Sequence, residues 1–283
     1  MLQQLLTPAA VTAASLAIAC AVLSVFVVLR RWSFIGEGIS HSTFGGAGTA
    51  WLLALAFPAL EQSNVPYVAI LVLLFSFATA MVIGTLTRRQ KIHPDAAIGI
   101  FLVSSLAWGV LAQGVYFHAR HSVPAGWDAF LFGRIDDLSP QFAAAVAVLS
   151  AAVVCIVCVL QKEMIYCAFD ADMAETSGVR AGMIHYLLLG LLAMVVVLGV
   201  QIAGSVLIPA LLILPGTIAL LVSRKLSHVF AIAVLAGLAG ALGGLLFHLR
   251  WNYLPIGPSM VLTLFVIFIW AWIATRFGPR ASA

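Results

Sequence analysis

Apolar residues run along this chain in blocks of about 18 to 23, separated by short polar or basic stretches. At a helical rise of about 1.5 Å per residue, one such block reaches across the roughly 30 Å hydrocarbon core of a bilayer. The blocks fall near residues 9–30, 34–58, 66–87, 96–117, 140–161, 183–202, 204–221, 229–249 and 258–275. The pattern predicts an all-α, polytopic membrane protein of eight to nine transmembrane helices, with nine as the count read here. The sixth and seventh blocks share one apolar run from 183 to 222, too long for a single span. Gly204, Pro209, Pro215 and Gly216 divide it into a short outward helix and a broken return helix. The N-terminal block has no basic residues before it, so it reads as a first span and not as a cleaved signal peptide.

One block is not uniformly apolar. The stretch 30–51 reads R-R-W-S-F-I-G-E-G-I-S-H-S-T-F-G-G-A-G-T-A-W, and places Glu37 and His41 inside the second span. The other Asp and Glu residues fall in loops or at block ends, so Glu37 is the intramembrane carboxylate. A carboxylate at that depth is costly and marks an ion pathway by default. His41 lies four residues on, on the same helical face. Carboxylate oxygen and imidazole nitrogen side by side make half of a divalent-metal site. A purely structural role would instead pair Glu37 with a basic side chain and His41 with a backbone carbonyl. Next to that face, Gly38, Ser42, Gly46 and Ala50 form a small-residue stripe of the kind that lets helices approach closely in lipid. Ala236, Gly240 and Gly244 form a second such stripe on the eighth span.

Composition narrows the class. The chain has 283 residues, 63% hydrophobic and 8% charged, against about a quarter charged in soluble domains. A transmembrane barrel would alternate apolar and polar positions, and these runs do not. The net charge of +4 comes from basic residues scattered over short loops, so it signals topology and not nucleic-acid binding. Arg30, Arg31, Arg88, Arg89, Lys91, Lys162, Arg180, Arg224, Lys225, Arg276 and Arg280 fall in one set of loops and the C-terminal tail. Arg120, Arg134 and Arg250 fall in the other. The first set is therefore read as cytoplasmic, with the N-terminus outside and the C-terminus inside.

The remaining features carry less chemistry. Cys155 and Cys158 have C-x-x-C spacing but lie mid-span without a second pair, and read as small packing residues. The outer loop 118–140 holds His118, His121, Trp127, Asp128, Asp136 and Asp137, and its F-L-F-G-R run suggests a re-entrant or interfacial helix. Metal capture and partner docking both suit that loop. The acidic cytoplasmic loop 161–182 reads as a capped, solvated helix with no assigned chemistry. No phosphate loop, H-E-x-x-H or G-x-S-x-G motif is present, so ATP hydrolysis by the P-loop route is excluded. An Arg-rich voltage sensor and a T-V-G-Y-G filter are absent as well.

Read together, the motifs resemble the permease subunits of the ABC-3 family of ATP-driven importers of zinc, manganese or iron. The resemblance spans nearly the whole chain. It rests on R-R-W-S-F-I-G-E-G-I-S-H at 30–41, D-A-A-I-G-I at 95–100, F-L-F-G at 130–133 and F-D-A-D-M-A-E-T-S-G-V at 169–179. G-S-V-L-I-P-A-L-L-I-L-P-G-T-I-A at 204–219 and P-I-G-P-S-M-V-L at 255–262 complete it, in family order. The family's acidic residue in the second span is often Asp; here it is Glu37, one methylene longer. The resemblance implies one permease domain over 1–283, paired in the membrane as a homodimer or with a similar permease. It further implies two cytoplasmic ATP-binding subunits and an extracytoplasmic metal-binding protein. A coupling helix toward the ATP-binding subunits maps to 217–228, with Ser223, Arg224, Lys225, Leu226, Ser227 and His228 as its contact residues.

On this reading Glu37 and His41 are the metal ligands, and a two-fold axis along the pore doubles them. The divalent ion is cargo; no permanent cofactor and no catalytic residue is expected. Competing readings are a permease for metal chelates such as siderophores, which needs no ionisable pair in its path, and an intramembrane metalloenzyme, which needs a third ligand and a base. His185 and His248 lie too near the span ends to serve. A membrane subunit without a pathway is the third alternative.

Overall fold

The computed structural model describes residues 8–60, 66–88, 92–124, 139–251 and 255–277. Among them the secondary structure is helical, with no strand. In chain order the helices are α1 (Pro8–Leu29), α2 (Ile35–Ala56), α3 (Tyr67–Arg88), α4 (Pro94–Arg120), α5 (Pro140–Val159), α6 (Gln161–Phe169), α7 (Ala171–Thr176), α8 (Ala181–Val222), α9 (Leu226–Arg250) and α10 (Ile256–Phe277). A 3-10 turn at Pro58–Leu60 follows α2.

Seven helical segments in the described residues are long and apolar enough to cross a bilayer: α1, α3, α4, α5, Ala181–Ser205 of α8, α9 and α10. The other two predicted blocks are helical as well. α2 matches α1 in length at 22 residues but dilutes its apolar positions with glycine, hydroxyl residues, Glu37 and His41. Leu207–Val222 is apolar but short. Local chemistry sets several helix ends. Ser139 accepts a hydrogen bond from the Phe142 amide at 3.2 Å, and Pro140 opens α5 where no amide hydrogen is needed. α4 likewise starts at Pro94 with Asp95 in its first turn, and ends in Arg120 followed by His121 at φ 53°.

The predicted break in the long run is present, and it is sharper than proline content alone suggests. Pro209 and Pro215 sit inside helical backbone, whereas Gly204 leaves it, at φ 80° and ψ 169°. That region of backbone space is essentially open to glycine alone. Gly204→Ala is therefore expected to cost about 1–3 kcal/mol. Thermal unfolding in detergent checks this, with Gly99→Ala as the control, because an added Cβ at Gly99 meets nothing within 4 Å.

The residues group into two compact units. The first comprises Met1–Ser33, Arg134–Ile184 and Val206–Ala283. Its centre is α1, almost wholly buried among α5, α9 and the last part of α8. Val25, Ala219, Val229 and Ala233 form a closed cluster, with Leu29, Leu220, Phe230 and Ile232 against it. Glycines set the closest approaches. A Cβ at Gly216 would lie 2.6 Å from the Ser24 carbonyl oxygen, and one at Gly237 would lie 2.9 Å from Ala21 Cβ. Gly240 faces the Leu264 side chain and Gly244 the Met260 backbone, where α9 meets α10.

The second unit comprises Phe34–Gly133 and His185–Ser205. α2 lies between α3 and α4. A Cβ at Gly46 would stand 2.6 Å from Val72 Cα, and one at Gly109 would stand 2.6 Å from the Phe44 carbonyl oxygen. A Cβ at Gly38 would lie 2.8 Å from Ile98 Cγ2. On the same unit, Trp108 Nε1 donates to Thr49 Oγ1 at 3.0 Å, tying α4 to α2. His185 Nε2 lies 3.2 Å from the Gly84 carbonyl oxygen, between α8 and α3.

Candidate metal site on α2

α1 ends by folding back on itself: the Arg30 amide donates to Phe26 O at 2.9 Å and the Trp32 amide to Val27 O at 2.9 Å. Arg31 takes φ 57° at the turn, and the Arg30 guanidinium lies over the Trp32 ring at 5.2 Å. α2 begins just beyond, with the Gly38 amide donating to Phe34 O at 3.0 Å. Glu37 falls in the first turn of α2, where the helix dipole favours an anion.

One turn later His41 reaches back to it. His41 Nε2 and Glu37 Oε1 are 2.9 Å apart, with side-chain exposures of 19% and 37%. An ionised carboxylate can only accept a hydrogen bond, so Nε2–H donates; in the neutral form of that tautomer the ring lone pair lies on Nδ1. Nδ1 is buried and has no hydrogen-bond partner. The ring also stacks on Phe44 at 5.9 Å between centroids. The imidazole is thus held from two sides while buried Nδ1 has no hydrogen-bond partner, an arrangement in which a carboxylate can orient a histidine toward a metal. Neither structural pairing considered above for these two residues is what the geometry shows; they pair with each other.

The neighbouring polar groups are largely satisfied within the helix. Ser42 Oγ donates to Ile39 O and Thr43 Oγ1 to Ser40 O, each at 2.6 Å, while Ser40 Oγ is buried without a partner. Among the described residues, no group of three or more His, Cys, Asp or Glu side chains gathers to hold an ion. Glu37 and His41 are thus two candidate ligands on one chain, short of the four that a closed zinc site takes.

The segment expected to couple to ATP-binding subunits is not a separate helix. Residues 217–222 finish α8, and Leu226, Ser227 and His228 form the first turn of α9. Ser223, Arg224 and Lys225 make the turn between them, with Ser223 Oγ accepting from the Lys225 amide at 3.2 Å. That serine turn closes the connection in three residues and leaves no length for a further helix. A second difference concerns Cys155 and Cys158, which were expected to pack. Both are free and exposed, because α5 buries the face of Ala143, Val146, Ser150, Val153 and Val157 instead. Cys20 and Cys167 are the buried thiols, and burial pushes that of Cys167, on α6, above the usual range. His118 and His121 are exposed at the end of α4. The F-L-F-G-R stretch, Trp127, Asp128, Asp136, Asp137, Arg89, Lys91 and Arg280 lie outside the described residues.

Sequence reasoning passed over Gly45, Gly48 and Gly109, which also sit where helices touch most closely. Gly45, Gly46 and Gly48 cluster within four positions of an apolar helix, and that was the available signal.

Comparison with known proteins agrees with this architecture. The ABC 3 transport family matches residues 2–275. The manganese transport system membrane protein MntC of Listeria innocua is 30% identical over 97% of this chain and 91% of its own length. A probable iron transport system membrane protein of Haemophilus influenzae is 27% identical, over 96% of this chain and 94% of its own. Among solved structures, PsaBC from Streptococcus pneumoniae in complex with Fab superposes with a TM-score of 0.77 at 26% identity, covering 95% of this chain and 92% of that one. A match over almost the entire length, carried by the fold as well as the sequence, leaves no room for the metalloenzyme reading: the chain belongs to the ABC 3 transport family, as a multi-pass permease subunit of an ATP-binding-cassette transporter.

Proposed function

We propose that this permease passes divalent transition-metal ions into the cytoplasm along a path lined by Glu37 and His41. The observation that carries the reading is the 2.9 Å pairing of the two side chains with buried Nδ1 of His41 left without a hydrogen-bond partner. A carboxylate offsets the ion's charge where its hydration is stripped, and the imidazole gives a borderline-soft nitrogen. Two ligands per chain suit transit, because a site that completes the coordination shell from one chain alone would hold the ion. Two permease copies around the path supply two carboxylates and two imidazoles. The set fits manganese, ferrous iron or zinc, and the names of the relatives favour the first two.

Transport is driven by two cytoplasmic ATP-binding subunits that engage the 223–228 turn, and an extracytoplasmic metal-binding protein delivers the ion. Ser223, Arg224 and Lys225 are half-exposed or exposed, as a contact segment must be. The excess of Lys and Arg supports a cytoplasmic position for this turn, α6 and α7, with the N-terminus outside and the C-terminus inside. Uptake of radioactive manganese, iron and zinc by the reconstituted complex tests the function. Topology is checked separately, by membrane-impermeant thiol labelling in a variant with Cys155 and Cys158 replaced by serine. Lys162→Cys is expected to react only from the cytoplasmic side and His118→Cys only from outside; the reverse pattern inverts the orientation.

A further inference from the structure

The cytoplasmic segment between α5 and α8 was assigned no chemistry from its sequence, and its structure is unlike a solvated loop. α6 is anchored by Met164 and Cys167, both buried, and α7 by Ala174, also buried. The two helices are locked together. Asp170 Oδ1 accepts from the Met173 amide at 2.9 Å, and Tyr166 Oη lies 2.9 Å from Ser177 Oγ and 3.2 Å from Met173 O. Yet this rigid element turns Phe169 outward at 68% exposure and Met173 at 57%. Inside a bilayer such exposure is ordinary, but this element carries Asp170, Asp172 and Glu175 around the two apolar side chains and sits with the basic loops. Large apolar groups held rigidly in water, rimmed by charge, mark a protein contact.

Two things on the molecule say what covers them. The first is continuity. α6 packs against α1, and Leu29, the last residue of α1, packs on the cluster that includes Ala219, shortly before the 223–228 turn, and Val229, just after it. The acidic element and the basic turn are thus both built onto the same end of α1, within one compact unit. The second is charge. The turn offers Arg224 and Lys225, whereas 169–176 offers Asp170, Asp172 and Glu175. Anionic headgroups on the cytoplasmic leaflet attract the former and repel the latter, so a lipid surface is the wrong occupant.

We propose that Phe169 and Met173 form a second docking point for the ATP-binding subunit, entering an apolar pocket with a basic rim beside the one that receives the 223–228 turn. This rests on the reading of that turn given above. The segment then gives each ATP-binding subunit two fixed contacts on the permease, of opposite charge, where a single turn gives one.

Hydrogen exchange on the permease, with and without its co-expressed ATP-binding subunit, tests the proposal. Amides 169–178 and 223–228 are both expected to gain protection in the complex. Phe169→Asp is expected to weaken assembly at least about tenfold, on the scale of a buried aromatic anchor, while the isolated permease keeps its thermal midpoint. A bifunctional maleimide is expected to join Met173→Cys to the ATP-binding subunit. Protection at 223–228 without protection at 169–178 overturns this proposal alone, and protection at neither overturns the coupling assignment with it. Quenching of a fluorophore on Met173→Cys by brominated lipid, in the assembled complex, would show the segment lying on the membrane and also overturn it.

Discussion

Glu37→Gln and His41→Ala are each expected to cripple metal uptake while the transporter still assembles. Glu37→Gln keeps the shape of the side chain and removes the charge that offsets the ion; His41→Ala removes the open nitrogen. Each change is expected to lower uptake at least about tenfold, since losing one charged or imidazole ligand from the transit step costs about 1.4 kcal/mol or more. Assembly survives for a reason visible in the geometry. Glu37 is 37% exposed and its recorded partner is His41, so its removal strands no buried cation. The loss of one hydrogen bond is offset in part by relief of desolvation. Glu37→Asp is the mildest change, because it restores the shorter acid common in the resembled family. It draws the carboxylate back by about 1.5 Å, one carbon–carbon bond, and so shifts the ranking among manganese, iron and zinc. Uptake of the three ions into vesicles, with the yield of complex measured alongside, is the check. Full-rate uptake of all three by the double variant Glu37→Gln, His41→Ala would refute the transit site, and loss of complex in proportion to loss of uptake would make the pair structural.

Gly46→Val is expected not to fold into a monodisperse permease. The added Cβ would sit 2.6 Å from Val72 Cα and 3.2 Å from Leu71 O, both backbone atoms of α3. A flexible side chain can swing aside; a helix backbone cannot without moving the whole element. Overpacking costs about 1–3 kcal/mol even where side chains can yield, and this contact lies at or above the top of that range. Gly99→Val is the matched control: its Cβ meets nothing within 4 Å, and valine is no worse than glycine in a helix. Size-exclusion profile and thermal midpoint in detergent separate the two. A normal profile and midpoint for Gly46→Val would mean that α2 and α3 are not held at this distance.

Which parts of this were legible beforehand follows from what each feature depends on. The spans come from hydrophobic run length, a one-dimensional property, and so the nine blocks correspond to helical segments. The pairing of Glu37 with His41 follows from their spacing on one helix and needs no knowledge of other elements. Gly204 was read as one of several breakers, yet only the backbone shows that it alone leaves helical geometry while Pro209 and Pro215 remain inside it. The close approach at Gly109 depends on which helix lies beside α4, a long-range fact absent from local pattern. Exposure of Cys155 and Cys158 has the same origin: an all-apolar helix gives no sign of which face it will bury. The coupling segment was read as a helix over 217–228 because its sequence, rich in helix formers, does not reveal that a Ser223 turn of three residues closes the connection.

The glycine contacts around α2 bear on how ions of equal charge are told apart. Where α2 meets its neighbours through backbone, as at Gly46 and Gly109, there is little side-chain slack for repacking when the passing ion changes radius. The frame around the pair therefore behaves as a ruler of fixed length, and accommodation falls to the torsion angles of the acid and the imidazole. Glutamate has one more such angle than aspartate. On the proposed transit site, a rigid frame carrying the longer, more adaptable acid is expected to admit ions over a wider span of radii than the same frame carrying the shorter one, so that breadth of cargo would turn on a single methylene and not on the packing of the bundle.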